Sequence, residues 1–152
     1  MYVRVMARQR AWGMTRETLA APQEENMAQV VGMWTNAANQ GHLLAQFHLG
    51  NLYHSTDKGV AQDNEEAIQW YRKAADQGFA KAELYLGHMF YRGIGVAQNY
   101  KESVKWFRKA GDQGNADAQR CLGAMYHEGI GVVQDYNEAV RWHRKAADQG
   151  HA

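Results

Sequence analysis

Ser55 and Lys58 stand three residues apart in "STDK", the S-x-x-K spacing at which a lysine or a nearby base activates a serine hydroxyl for acyl transfer. Enzymes of that kind also carry S-D-N and K-T-G, and neither occurs in this chain. The pair also falls where one unit of the chain carries an extra residue, and insertions collect in loops. A serine hydrolase using Ser55 and Lys58 is therefore a remote reading. Seven histidines raise the question of a metal, but zinc needs three or four ligands converging on one point. No H-E-x-x-H occurs, His54 and His127 share one position of an internal repeat, and His42 and His151 share another. His143 replaces Phe107 and Tyr71 and reads as a core-edge substitute for an aromatic ring. No metal and no cofactor is expected. Gly93-x-Gly95 and Gly129-x-Gly131 lack the third glycine and the preceding strand of a dinucleotide fingerprint, so they read as hinges. Trp70, Trp106 and Trp142 could stack nucleobases. Their 36-residue step within an apolar stripe makes them core instead. With 17 Lys and Arg against 16 Asp and Glu, no net basic field favours a nucleic-acid partner.

These residues are organised by repetition. "GIGVAQNYKESVKWFRKAGDQG" (93–114) returns as "GIGVVQDYNEAVRWHRKAADQG" (129–150), 36 residues later. "DQG" closes at Gly78, Gly114 and Gly150, and "LG" recurs at Gly50, Gly87 and Gly123, with one step of 37 and one of 36. Three units follow, 42–78, 79–114 and 115–150, the extra residue lying in 53–60 of the first. "AANQG" (37–41) matches "AADQG" (74–78), so 5–41 reads as a degenerate fourth copy. Terminal repeats are often atypical because one face must meet water. The Arg-rich start is then part of the fold rather than a transit peptide. His151 and Ala152 are the first two residues of a further repeat. At 152 residues the chain suits a single domain, one without an intrachain disulfide, since Cys121 is the only cysteine.

Each unit reads as two helices. In the second unit the segment 80–91 carries an apolar arc so wide that only Lys81, Tyr85, His88 and Arg92 remain outside it. Such a helix is flanked on both sides and shows water one strip. The second helix opens on a capping box, Asp63 with Glu66, Asn99 with Glu102 and Asp135 with Glu138, echoed by Asn26 with Gln29. The closing glycine supplies a left-handed stop. A glycine inside a helix costs about 1 kcal/mol relative to alanine. Its recurrence at 50, 87 and 123 points to helices approaching too closely for a Cβ.

The pattern of A-x-A, L-G, an aromatic, G-x-G-V, a capping residue, W, A-A and G resembles the Sel-one-like repeat, of the suppressor-enhancer-of-lin type and related to the tetratricopeptide repeat. It covers nearly the whole chain once 5–41 is included. The resemblance implies an all-α fold, a right-handed α-solenoid of stacked antiparallel helix pairs with a concave face lined by the first helix of each pair. It also implies an adaptor or scaffold rather than an enzyme. Arg120 departs from the pattern, sitting where Leu84 and Phe47 sit. The single Cys121 sets the chain apart from the disulfide-stapled, secreted members.

The candidate partner surface is the exposed strip of the first helices: Leu44, His48 and Asn51, then Lys81, Tyr85 and His88, then Asp117, Cys121 and Ala124. Adaptable aromatic and polar side chains of this kind suit recognition of a peptide or protein segment. The alternative is a self-associating scaffold, or a fragment of a longer array, joined through the last unit. No apolar run is long enough for a membrane span. The cytoplasm is the default location, with no signal peptide visible in the sequence, though export by another route stays open.

Overall fold

A computed structural model of the chain describes residues 24–56 and 59–150, with side chains from Met27 onward. Residues 5–23 of the degenerate copy, Lys58, and the His151–Ala152 start of a further unit lie outside the described residues. What is described is all-helical, with seven helices and no strand. They are α1 (Glu24–Asn39), α2 (Leu43–His54), α3 (Asn64–Asp76), α4 (Ala80–Arg92), α5 (Tyr100–Asp112), α6 (Ala116–Glu128) and α7 (Tyr136–Gly150). Each packs on the next in chain order, and α4 also touches α6, the equivalent helix one unit on.

The helix boundaries follow from local chemistry. Asp63 and Asn99 accept the backbone N–H of Glu66 and Glu102 at 3.0 and 3.1 Å, and Asp135 accepts that of Glu138 at 3.1 Å. Only half of the expected capping box forms. The N–H of Asp63, Asn99 and Asp135 bonds the carbonyl of Tyr53, Phe90 and Tyr126 at 2.8, 2.9 and 2.9 Å. The first helix of each pair thus supplies the acceptor that the glutamates were expected to supply. Glu102 and Glu138 turn instead to Lys105 and Arg141 one turn on, at 2.6 and 2.5 Å. Asn26 is not a cap either, because α1 is already helical from Glu24.

Gly78 and Gly114 take positive φ, +82° and +93°, and end α3 and α5 as expected. The residue after each glycine bonds back into the finished helix, Phe79 N–H to Ala74 O and Asn115 N–H to Ala110 O. In the last unit the expected stop at Gly150 is absent, and α7 runs through that residue. The residue that would bond back there, 151, lies outside the described ones. Gly93 and Gly129 end α4 and α6 in the left-handed region.

The recurring helical glycines mark the closest approaches. A Cβ at Gly50, Gly87 or Gly123 would meet the ring of Tyr71, Phe107 or His143 at 2.6, 2.5 and 2.6 Å. One aromatic side chain of each second helix therefore lies flat on the glycine of its own first helix. The tryptophans join the core as expected. Trp70 and Trp142 are buried and Trp106 is half-buried. Lys73, Lys109 and Lys145 lie over their rings at 4.0, 4.5 and 4.3 Å from the centroids.

A polar ladder spans each unit and, in two of them, reaches the unit before. Gln77, Gln113 and Gln149, the glutamines of "DQG", donate to Gln46, Glu83 and Gln119 at 2.8, 2.7 and 2.9 Å. Gln46 and Gln119 in turn donate to the carbonyls of Ala38 and Gly111, eight residues earlier, at 3.0 and 2.9 Å. Glu83 holds the same place in the middle unit with a carboxyl, which has no N–H to donate. It is buried, only 3% exposed. Burial pushes its pKa upward, against the opposing pull of Lys109 and the Gln113 hydrogen bond.

Candidate partner-binding strip

The helical geometry of α2, α4 and α6 brings the nine expected strip residues to equivalent positions of three successive first helices. Leu44, His48, Lys81, Tyr85, Asp117 and Ala124 are exposed, and Asn51, His88 and Cys121 are half-buried. None is sealed in the core. Asn51 and His88 lean on the rings that cover the repeat glycines, and Cys121 packs against the core cluster that holds Phe107 and Trp142. Tyr71, fully buried, donates its hydroxyl to Asn51 Oδ1 at 2.8 Å. His88 meets Phe107 edge-on at 5.0 Å between centroids.

Tyr85 reaches back across the unit boundary. It stacks on Tyr71 at 5.2 Å with planes 14° apart and meets Phe47 at 5.7 Å. Phe47 lies 5.8 Å from Tyr71 and 6.1 Å from His48, which faces Trp34 at 5.4 Å. Trp34, His48, Phe47, Tyr71 and Tyr85 are thus a continuous aromatic layer across three units, its outer members open to water. Burial lowers the pKa of His88, with Arg92 adding to the effect and Asp117 opposing it. His88 is thereby biased toward the neutral imidazole, which can both donate and accept. Burial raises the Cys121 thiol, so that side chain is a small apolar contact rather than a reactive thiolate. Asp117 is held by Arg120, the residue that breaks the apolar pattern of its helix.

An open cavity of about 540 Å³ adjoins the strip, lined by Asn51, His54, Ser55, Thr56, Gln62 and Tyr85. His54, Thr56 and Gln62 are absent from the expectation drawn from sequence. The signal for them was the inserted residue in 53–60, the one place where this unit departs from its copies. Ser55 is the C-cap of α2, in extended conformation, with its N–H bonded to Asn51 O at 3.1 Å. Its position is that of a helix end, and Lys58 lies outside the described residues. Among the described residues no group of three or more His, Cys, Asp or Glu is placed to hold a metal ion. No described helix is long and apolar enough to cross a membrane.

Comparison with known proteins agrees with this architecture. The solved structure of a protective antigen of uropathogenic Escherichia coli, displaying an SLR fold, superimposes with a TM-score of 0.76 at 43% identity, over 80% of this chain and 26% of that one. A Sel1 repeat protein from Oxalobacter formigenes superimposes with a TM-score of 0.73 at 40% identity, over 79% of this chain and 47% of that one. Among curated proteins, the chitin synthase regulator SKT5 of Malassezia restricta is 36% identical over 78 residues, 51% of this chain. The matched part is 5% of the regulator's length. The Sel1 repeat model matches three times, at 43–79, 80–115 and 116–151. With matched segments over most of its length and the same stacked helix pairs, the chain belongs to the Sel1 repeat family.

Proposed function

We propose that this chain is a non-enzymatic protein–protein interaction module that binds an extended peptide or protein segment along the first-helix strip. The observation that carries the reading is the aromatic layer from Trp34 to Tyr85. Its buried members hold His48 and Tyr85 in place from beneath. Side chains held rigid before binding lose little entropy on association, and aromatic anchors dominate interface energetics. Lys81 on α4 and Asp117 at the equivalent position of α6 add opposite charges beyond the layer, which would orient a ligand along the strip. A relative named as a chitin synthase regulator fits the same role.

The test is selection of peptides from a displayed library on the full chain, followed by binding to a Tyr85→Ala, Lys81→Ala double variant. Peptides that bind the parent chain and lose at least about tenfold in affinity on the variant, some 1.4 kcal/mol, support the strip. Peptides that bind both equally place recognition elsewhere.

A second reading rests on α7. Val140 is 53% exposed, whereas its repeat equivalents Val104 and Ile68 are 6% and 2% exposed. Tyr136 and Val133 are exposed beside it. We propose this apolar edge as a surface on which a second copy or a further repeat stacks. Light scattering over a hundredfold range of concentration tests self-stacking. A mass that doubles and reverts on Val140→Glu supports it, and a constant mass near 17 kDa removes it.

A further inference from the structure

We propose that the cavity between α2 and α4 is a subsite for an uncharged amide, either a backbone peptide unit or the carboxamide of a glutamine or asparagine, in the bound segment. This rests on the strip reading above and specifies the chemistry of one end of it. The first unit differs from its siblings at two facing positions. Asn51 stands where the later units have His88 and Ala124, and Tyr71 stands where they have Phe107 and His143. Only in the first unit does a buried hydroxyl reach the strip, and it donates to Asn51 Oδ1 at 2.8 Å. That bond uses the acceptor half of the Asn51 side chain and sets the amide's orientation. The Nδ2 protons, which no acceptor among the described residues takes, are what Asn51 has left to offer.

The remaining lining groups supply the complement. His54 Nδ1 lies 2.8 Å from Asn64 Oδ1. Since that oxygen can only accept, Nδ1 carries the proton, and in the neutral ring Nε2 then keeps its lone pair. Gln62 donates Nε2 to His54 O at 2.9 Å, so its free valence is the acceptor Oε1. Thr56 and Tyr85 add hydroxyls. The cavity therefore presents an N–H donor in Asn51, acceptors in His54 and Gln62, and no charged group among its described lining residues. An amide carries one C=O and at least one N–H and satisfies both kinds of partner. A carboxylate would set its oxygens against the lone pairs of His54 and Gln62, an unpaired polar contact that disfavours it. The volume, about 540 Å³, lies in the range of small-ligand sites and accommodates a side-chain amide with the backbone that bears it.

The test is titration of the isotope-labelled full chain, observed by NMR, with three blocked tripeptides: acetyl-Ala-Gln-Ala-amide, acetyl-Ala-Glu-Ala-amide and acetyl-Ala-Ala-Ala-amide. The expected result is saturable movement of the Asn51 and Gln62 side-chain amide signals with the glutamine peptide, and binding of the glutamate peptide about tenfold weaker. Equal binding of the alanine peptide assigns the amide to the backbone, and weaker binding assigns it to the side chain. Tyr71→Phe, which installs the ring that Phe107 already provides in the next unit, is expected to weaken binding about fivefold while leaving the fold intact. Asn51→Ala, with Ala124 as its precedent, does the same by removing the donor itself. A glutamate peptide that binds as tightly as the glutamine peptide while the alanine peptide binds more weakly overturns the proposal, as does unchanged affinity in both variants or no saturable shift with any peptide. Lys81 is not among the lining residues of the cavity. Displayed peptides that weaken on Lys81→Ala alone but bind Asn51→Ala unchanged therefore keep the strip and remove the subsite, so failure of the two is distinguishable.

Discussion

The helices α5 and α7 carry nearly the same sequence and live in different surroundings. Val104 and Phe107 of α5 are buried beneath α6, whereas Val140 and His143 of α7 are exposed. The contact inside each unit is unchanged, because Phe107 lies against Gly87 as His143 lies against Gly123. At the valine pair, where the residue type is the same, the difference comes from the next unit, present over α5 and not described over α7. Burial in this fold is thus conferred by the neighbour, as expected where each repeat touches only the adjacent ones. Stability should accordingly fall from the middle of the stack toward α7.

The strongest test of that gradient is truncation of the two equivalent rings. Phe107→Ala should cost about 3–5 kcal/mol, enough to unfold a chain of ordinary stability, while His143→Ala should cost less than about 1 kcal/mol. Equal shifts of the urea midpoint would end the comparison. Next in size are the glycines. Gly87→Ala forces a Cβ into a buried ring and should cost about 1–3 kcal/mol. Gly123→Ala meets an exposed imidazole that can swing aside, and the gain in helix propensity of about 1 kcal/mol should bring it near neutral. Thermal melts of the two variants decide this directly.

The caps should refuse to follow the gradient. Asn99→Ala and Asp135→Ala each remove a local hydrogen bond and should each cost about 1 kcal/mol. A much smaller loss at Asp135 would mean that α7 is frayed rather than merely uncovered, which sharpens the comparison. The smallest effect is expected at Glu83, the carboxyl in the polar ladder. Because burial raises its folded-state pKa, the stability it contributes is present below the ordinary carboxylate range and lost as pH rises through the folded value. Glu83→Gln restores the amide of Gln46 and Gln119. It should raise the melting temperature at neutral pH, and the advantage should shrink as the pH is lowered. A constant advantage across that range would show that the pKa of Glu83 is the same in the folded and unfolded chain.

Much of this was legible before any coordinates. Gly50, Gly87 and Gly123 announced close approaches because a helical glycine is unfavourable unless something requires it. The partner ring was not legible, since Tyr71, Phe107 and His143 are 20 residues away and only packing selects them. Asp63, Asn99 and Asp135 were recognisable caps because the capping bond spans three residues. The role of the glutamates was misjudged because the cap's own N–H turned to a carbonyl of the preceding helix, a tertiary acceptor that no local motif shows. Gln77, Gln113 and Gln149 recurred in plain view, but their partners 30 or 31 residues away did not. Of the strip, the exposed positions followed from helical periodicity. The cavity beside it did not, because it lies between the end of one unit and the face of the next.

By itself the sequence determined the helix pairs, their ends and the register of the repeat, because these depend on hydrogen bonds and side-chain periodicity within a few residues. Only the tertiary structure decided which ring covers which glycine, how Asn51 is oriented by Tyr71, and that Val140 is open where Val104 is closed. Those outcomes depend on which surfaces meet in space, and two nearly identical helices answer differently when one has a neighbour over it.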